Sequence, residues 1–279
     1  MKYNFSIVTP NLNQLQHLKR CCASITNQKD VSVEHIVMDG QSSDGTEEWL
    51  RSKSDIKWKS KKDEGMYDAI NKGWSRANGE ILSWLNADEQ YLPGALSVVQ
   101  EYFNTHPNVD AVFGDYIIVD PEGNPLAARK EIPLRKLYVL HGILYAQSCT
   151  IFMRRKIYEQ YKGFDTSYKI LGDMEWVLRL MGHGVDFVHI PRYLALFTVS
   201  TKNLSLNPQA QKERKRIINC YKSYCGYFGK MLTRILRGIE KIINGCYGYH
   251  QVKYSYMVDE KQCRQFECKT GSLWIWPKQ

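Results

Sequence analysis

The sequence predicts an α/β protein: a largely parallel sheet with helices on both faces, followed by a mixed sheet extension and a basic helical C-terminal region. Three observations carry this. Short β-type runs alternate with segments of helical spacing through the first hundred residues. Asp, Asn and Gly residues stand just after several of the strands. Past Gly114 the alternation gives way to hairpin-like segments.

The elements follow in order. Residues 5–9 are a short β-type run stopped by Pro10. Residues 14–26 carry apolar side chains at 15, 18, 22 and 25, the spacing of one helix face. Residues 33–38 form a second strand, and Asp44-Gly-Thr-Glu47 has the form of a capping box opening a helix through Leu50. Residues 55–59 are a third strand, 66–77 a helix stopped by Gly79, and 80–85 a fourth strand. Pro93 suits the first turn of a helix that runs to Phe103, and residues 110–113 are a fifth strand. Beyond it, residues 116–119, the turn at 120–124 and the next extended segment make a hairpin. Residues 148–154 read as a strand, 170–181 as a helix, and 186–190 and 193–197 as two short strands.

In open parallel sheets, ligands bind beyond the carboxyl ends of the strands. Three such ends carry acidic or amide side chains: Asp39, Asn86-Ala-Asp-Glu89, and Asp115. Each is a turn former or helix cap in its own right. Together on one crevice they suit a nucleotide or a divalent cation. Mg²⁺ or Mn²⁺ bound to phosphates takes one or two protein carboxylates, which Asp88 with Glu89 supplies.

The chain of 279 residues has 43% hydrophobic residues, ample for a core, and a formal charge of +9. Such a charge suits nucleic acid, anionic lipid or phosphorylated ligands. No nucleic-acid-binding motif is present, so nucleic acid is not expected as a partner. Neither a dinucleotide-binding glycine fingerprint nor a P-loop occurs. Residues 1–10 hold too short an apolar run for a signal peptide, and no apolar stretch nears the roughly 18 residues of a membrane span. A cytoplasmic location is expected, with peripheral contact at the inner membrane face as the alternative to a fully soluble state. Cys220/Cys225 and Cys263/Cys268 repeat one spacing, loose for zinc, and buried thiols are the preferred reading of the eight cysteines.

Four segments occur in a telling order: Thr9-Pro-Asn-Leu-Asn13, Asp39-Gly-Gln-Ser-Ser-Asp-Gly-Thr46, Asp63-Glu-Gly-Met-Tyr-Asp-Ala-Ile-Asn-Lys-Gly73 and Leu85-Asn-Ala-Asp-Glu-Gln-Tyr91. Over roughly residues 3 to 205 the chain resembles glycosyltransferase family 2, inverting enzymes of the GT-A fold. The resemblance implies a catalytic domain at 1–205 and a helical basic extension at 206–279. It implies transfer of one sugar from a nucleotide-diphosphate sugar, with UDP favoured, to a hydroxyl of a glycan or lipid-linked acceptor, in cell-surface polysaccharide or glycan synthesis. A catalytically inactive sugar-nucleotide-binding scaffold is the alternative. By the same resemblance Thr9, Pro10, Asn11 and Asn13 line the nucleotide pocket, and Asp39 reads the base. Asp63, Asp68, Asn71 and Lys72 belong to the segment closing over base and ribose. Asn86, Ala87 and Asp88 match the family's Asp-any-Asp metal motif, with Asn in first place and Asp88 as the metal-side acid.

Gly172-Asp-Met-Glu-Trp176 resembles the family's acid motif and assigns Asp173 as general base, with Glu175 as its fallback and Gln147 on the acceptor side. The alternative for Asp173 is a helix cap. Relatives carry Arg and His near Phe197, where this chain has Thr198 and Ser200, so Lys202 replaces them at the phosphates or the donor is held differently. The Gln-any-any-Arg-Trp signature of processive synthases is absent, which favours single additions.

In the tail, apolar residues at 217, 221, 224, 228, 231, 235, 239 and 242 form a stripe of helical period among many cations, broken by Gly226, Gly229 and Gly238. Packing on the catalytic domain is its preferred place and anionic lipid the alternative.

Overall fold

The computed structural model describes residues 3–199, 208–221, 227–248 and 251–269. The elements begin with β1 (Phe5–Asn11), α1 (Leu15–Thr26), β2 (Val33–Asp39), α2 (Thr46–Arg51), β3 (Ile56–Ser60), α3 (Met66–Trp74) and β4 (Ile81–Trp84). They continue with β5 (Gln90–Tyr91), α4 (Ala95–Thr105), β6 (Ala111–Val119), β7 (Pro125–Arg129) and α5 (Lys136–Leu140). A 3₁₀ turn (Ser148–Thr150) leads into β8 (Phe152–Arg154), α6 (Arg155–Tyr161), α7 (Gly172–Gly182) and β9 (Phe187–Thr198). Last come α8 (Pro208–Cys220), α9 (Tyr227–Ile243), β10 (Val252–Met257) and β11 (Cys263–Cys268).

The main sheet runs β3-β2-β1-β4-β8-β6-β9-β5, with β7 on β6. The first four strands are parallel; β8 is antiparallel to β4 and to β6, while β9 runs parallel to β6. Alternation along β1 explains the two layers. Phe5 and Ile7 face a cluster with α1 and α4, whereas Val8 faces one built from α3 and α7. The second layer centres on Trp74, Trp84, Trp176 and Phe164, whose ring centroids lie 5.1–5.9 Å apart.

Several boundaries differ from the sequence reading for local reasons. β1 runs through Pro10, because pairing with β4 ends at Val8 and the missing N–H faces that unpaired side. Asp44 does not form a capping box. Its carboxylate takes the Thr46 hydroxyl (2.6 Å) and the Leu15 amide (2.8 Å), and Glu47 turns to Arg51. Pro93 precedes its helix, which starts after Gly94 at φ +77°. Residues 111–119 are one strand rather than two, as are 187–198, where a register shift lies opposite Asp115.

The C-terminal region is not wholly helical: β10 and β11 form an antiparallel hairpin. Gln90 exchanges two hydrogen bonds with the Met257 backbone, and Tyr254 donates to the Gly123 carbonyl (2.6 Å). Cys263 and Cys268 stand at opposite ends of β11, about 16 Å apart at strand rise, too far to share one metal. Cys225, Ser200, Lys202 and Trp274-Ile-Trp276 lie outside the described residues. The stripe divides. Ile217 of α8 is buried, but Met231, Ile235, Ile239 and Ile242 of α9 are exposed, contrary to the packing expectation. Among the described residues no helix is long and apolar enough to cross a membrane.

Candidate active site

The site is assembled at the carboxyl edge of the parallel strands. Register places Asn11 beside Asp39 and Asp39 beside Ser60. The loops after β1 and β2 interlock there. Asn11 Nδ2 donates to Asp39 Oδ1 (3.1 Å), the Asn13 amide donates to Ser42 Oγ (2.8 Å), and Asn13 Oδ1 accepts from the Ser43 amide (2.8 Å). Asn13 and Gln41 hold positive φ of 53° and 67°, backbone conformations retained where surroundings enforce them.

Asp39 is 1% exposed. Its oxygens accept from Asn11 Nδ2, the Ser42 amide and hydroxyl, and the Ser60 hydroxyl. Those four donors use the carboxylate's acceptor positions, so a nucleobase would have to displace one of them. Asp39 thus sets the shape of the edge. Asp39→Ala strands these donors and is expected to cost about 1–3 kcal/mol, roughly 2–10 °C in Tm by thermal melting. An unchanged Tm would leave Asp39 with no structural role.

Thr9 does not offer a pocket side chain. Thr9 shares the strand parity of Phe5 and Ile7, is fully buried, and meets His35 Nε2 (2.9 Å) and Cys21 Sγ (3.8 Å) behind the edge. Asn71 is likewise structural: its amide both donates to and accepts from the Phe164 backbone (2.8 and 2.9 Å). Asp63 accepts from the Gly65 amide (2.9 Å) and borders Gly40, where even a Cβ would come within 2.9 Å of its carboxylate. Burial pushes Asp68 up, but the Lys72 ammonium (2.5 Å) and the Glu64 amide outweigh it and hold the carboxyl below its ordinary range.

The turn after β4 presents Asp88. Thr198 donates its hydroxyl to the Asp88 carbonyl (2.5 Å), so this residue fastens the turn instead of supplying a cation. Glu89 points inward, 1% exposed, accepting from the Asn86 amide (2.9 Å) and Ser148 hydroxyl (3.2 Å). Burial, then the neighbouring Asp88 charge, pushes Glu89 up to about 8. Its carboxylate is thus already engaged by two protein donors on the buried side of the turn. Asp88 is itself raised by burial, with its own amide and His17 pulling it back. Ala87 is buried.

Two amide oxygens, of Asn11 and Asn86, are buried here without a hydrogen-bond partner. Such oxygens are rare in a packed protein and call for an explanation. Asn86 Oδ1 with the Asp88 carboxylate is a hard oxygen donor set of the size that a phosphate-bridging Mg²⁺ or Mn²⁺ uses. Asp115 lies apart. It sits inside β6, 2% exposed, paired with His189 Nε2 (2.7 Å) and the Glu131 amide (2.9 Å), because the strand continues past it.

Asp173 is in the first turn of α7, whose start carries no side-chain cap bond. Its Oδ1 accepts from the Met174 amide (2.8 Å) and from Tyr67 Oη (3.2 Å), whose single hydroxyl proton is shared with the Ile170 carbonyl (2.9 Å). Burial pushes the carboxyl up to about 6 against the pull of those donors. Glu213 of α8 accepts the amides of Lys169, Ile170 and Leu171 at 2.8–3.0 Å and so holds the loop before Asp173. Glu175 is committed elsewhere: it pairs with Arg179 (2.9 Å), which also donates to the Tyr161 and Gly163 carbonyls. Gln147 precedes the 3₁₀ turn whose Ser148 meets Glu89, and its carbonyl accepts from the Thr150 hydroxyl (2.8 Å).

His17, Tyr67, Ser60, Thr198 and Glu213 were not legible as site residues, since their partners are distant in sequence. Tyr67 alone had a local signal, lying inside the Asp63–Gly73 segment.

Comparison with known proteins bears on the family and the fold. The profile of the family described as Glycosyl transferase family 2 matches residues 6–162. An uncharacterized glycosyltransferase of Rickettsia conorii is 28% identical over 182 residues, 61% of this chain and 30% of that protein. A PGL/p-HBAD biosynthesis glycosyltransferase of Mycobacterium bovis is 29% identical over 187 residues, 63% of this chain and 68% of that one. Among solved structures, S. aureus TarS 1-349 with UDP-GlcNAc has a TM-score of 0.61 at 16% identity, covering 88% of this chain and 75% of that one. A mannosyltransferase from Pyrobaculum calidifontis with GDP-Man and Mn²⁺ has a TM-score of 0.57 at 16% identity, covering 86% and 72%. These structural likenesses concern the fold.

Proposed function

The chain belongs to glycosyl transferase family 2, and from that premise we propose that it transfers a single sugar, with inversion, from a nucleotide-diphosphate sugar to an acceptor hydroxyl. The observation that carries this reading is Asp173: a recessed carboxylate at a helix head, raised to about 6 and held by Tyr67. Asp173 takes the acceptor's proton as the acceptor oxygen attacks the anomeric carbon. The bond from that carbon to the nucleotide diphosphate breaks, and its electron pair leaves with the diphosphate. The Asn11–Asp39–Ser42 mesh shapes the wall for base and ribose, with Asp63, Asp68 and Lys72 on the neighbouring loop and helix. Asp88 and Asn86 Oδ1 would hold the divalent cation, which when bound neutralises charge on the leaving diphosphate. Gln147 borders the acceptor side. The solved relatives carry UDP-GlcNAc in one case and GDP-Man in another, which supports a nucleotide-diphosphate sugar as the donor class. UDP is the favoured base. A glycan or lipid-linked acceptor, in cell-surface glycan synthesis on the cytoplasmic side, is the setting proposed.

A panel of nucleotide sugars, scored by thermal stabilisation with and without Mn²⁺, tests the donor class. A true donor at a hundred times its Kd adds about 2.7 kcal/mol. NMR of the product's anomeric centre tests inversion, and retention would overturn it.

The pH profile tests the base. Only ionised Asp173 accepts a proton, so kcat/KM is expected to fall about tenfold per pH unit below roughly 6 and to level above it. Tyr67→Phe removes a donor to the ionised form, so the carboxyl rises and the acidic limb moves alkaline by about one unit. A limb unmoved by Tyr67→Phe would separate Asp173 from the titration.

A further inference from the structure

Helix α9 is packed inside out. Its protein-facing side is polar: Thr233 and Lys241 are 2% and 1% exposed. Thr233 meets His141 Nδ1 (3.0 Å), Arg237 and Lys241 both reach Glu131 Oε2 (2.9 and 3.0 Å), and Glu240 accepts from Arg135 and Tyr138. Its outer side is apolar. Leu232, Ile235, Leu236, Ile239, Ile242 and Ile243 are 40–78% exposed, and their spacing makes one stripe. A surface helix that packs on its own domain has the reverse arrangement, and among the described residues nothing covers this stripe.

Charge identifies the occupant. Lys230 and Arg234 are exposed on α9, and its one acid, Glu240, is turned inward. Exposed Lys212 and Lys215 of α8 add to them, and Arg214 packs on Gly142, beside the His141 that meets Thr233. We propose that this face docks on an anionic lipid bilayer. The isoleucine and leucine side chains enter the boundary between headgroups and acyl chains, while Lys230 and Arg234, which helical spacing sets behind the stripe, add their attraction to the anionic surface across the width of the helix. A second copy is the competing occupant, and the oligomeric state in solution separates the two. Spanning is excluded by the polar face and by 17 residues, about 26 Å of helix. The proposal is independent of the donor, so a failed transfer assay leaves it standing.

Flotation of the full chain tests it, using vesicles of phosphatidylcholine alone and of phosphatidylcholine with phosphatidylglycerol. At low salt the protein is expected to float with the anionic vesicles and to leave them as salt rises. Ile235→Glu with Ile239→Glu, at exposed positions that leave the melting curve unchanged, should lower partitioning at least about tenfold. Lys230→Glu with Arg234→Glu should erase the preference for phosphatidylglycerol, by about tenfold or more. A wild-type chain that ignores anionic vesicles overturns the proposal. So does undiminished flotation of the doubly substituted protein, or a dimer in light scattering that Ile235→Glu with Ile239→Glu separates.

Discussion

Asp173→Asn is expected to slow sugar transfer by about 10²–10⁴-fold while nucleotide-sugar affinity stays near wild type. Asparagine keeps the size and can still accept from Tyr67 and the Met174 amide, the two groups that position the aspartate. What it loses is the capacity to take a proton. The loss should therefore appear in kcat, read in single-turnover assays at saturating donor, and not in the donor Kd from titration calorimetry. A transfer defect that traces wholly to weaker donor binding would make Asp173 a positioning residue. Undiminished transfer would remove it from the chemistry. Glu175 is a poor replacement, because Arg179 holds its carboxylate and Arg179 also ties down the Tyr161 and Gly163 carbonyls.

Asp88→Ala should weaken nucleotide-diphosphate binding in Mn²⁺ by at least about 10–100-fold, with little change in the presence of a chelator. Asp88 is the carboxylate of the Asn86–Glu89 turn that is left when the Asn86 amide and the Ser148 hydroxyl engage Glu89. The fold should tolerate the change, because Thr198 grips the turn through the Asp88 backbone carbonyl and not through its side chain. The discriminating measurement is the difference in affinity with and without metal. Equal affinities for both proteins under both conditions would sink the metal assignment. Asn86→Ala is expected to give a smaller loss of the same kind, having only a neutral oxygen to remove.

The strand and helix order of the first hundred residues, and the edge at which the site lies, could be read from the sequence. Both rest on short-range physics: a two- or 3.6-residue period, and turn residues at fixed offsets. Three short elements, β5, α5 and α6, escaped because five or seven residues or fewer carry too little periodicity. The motifs pointed to Asp39, Asp88 and Asp173, and the structure gives those residues different circumstances. Asp39 is filled by protein donors, Asp88 lends its backbone carbonyl to Thr198, and Asp115 is absorbed into a continuing strand.

Composition and pattern thus determined by themselves that this chain builds a parallel α/β sheet with acids along its carboxyl edge. Only the tertiary structure decided which acids remain available and which way α9 faces. The reason is the range of the interactions. Thr198 fixes Asp88 across 110 residues, Tyr67 holds Asp173 across 106, and Lys241 is drawn inward by Glu131 across 110. A helical stripe shows that a helix has two faces. Which one turns to the protein depends on a carboxylate such as Glu131, buried at 4% exposure and needing cations beside it.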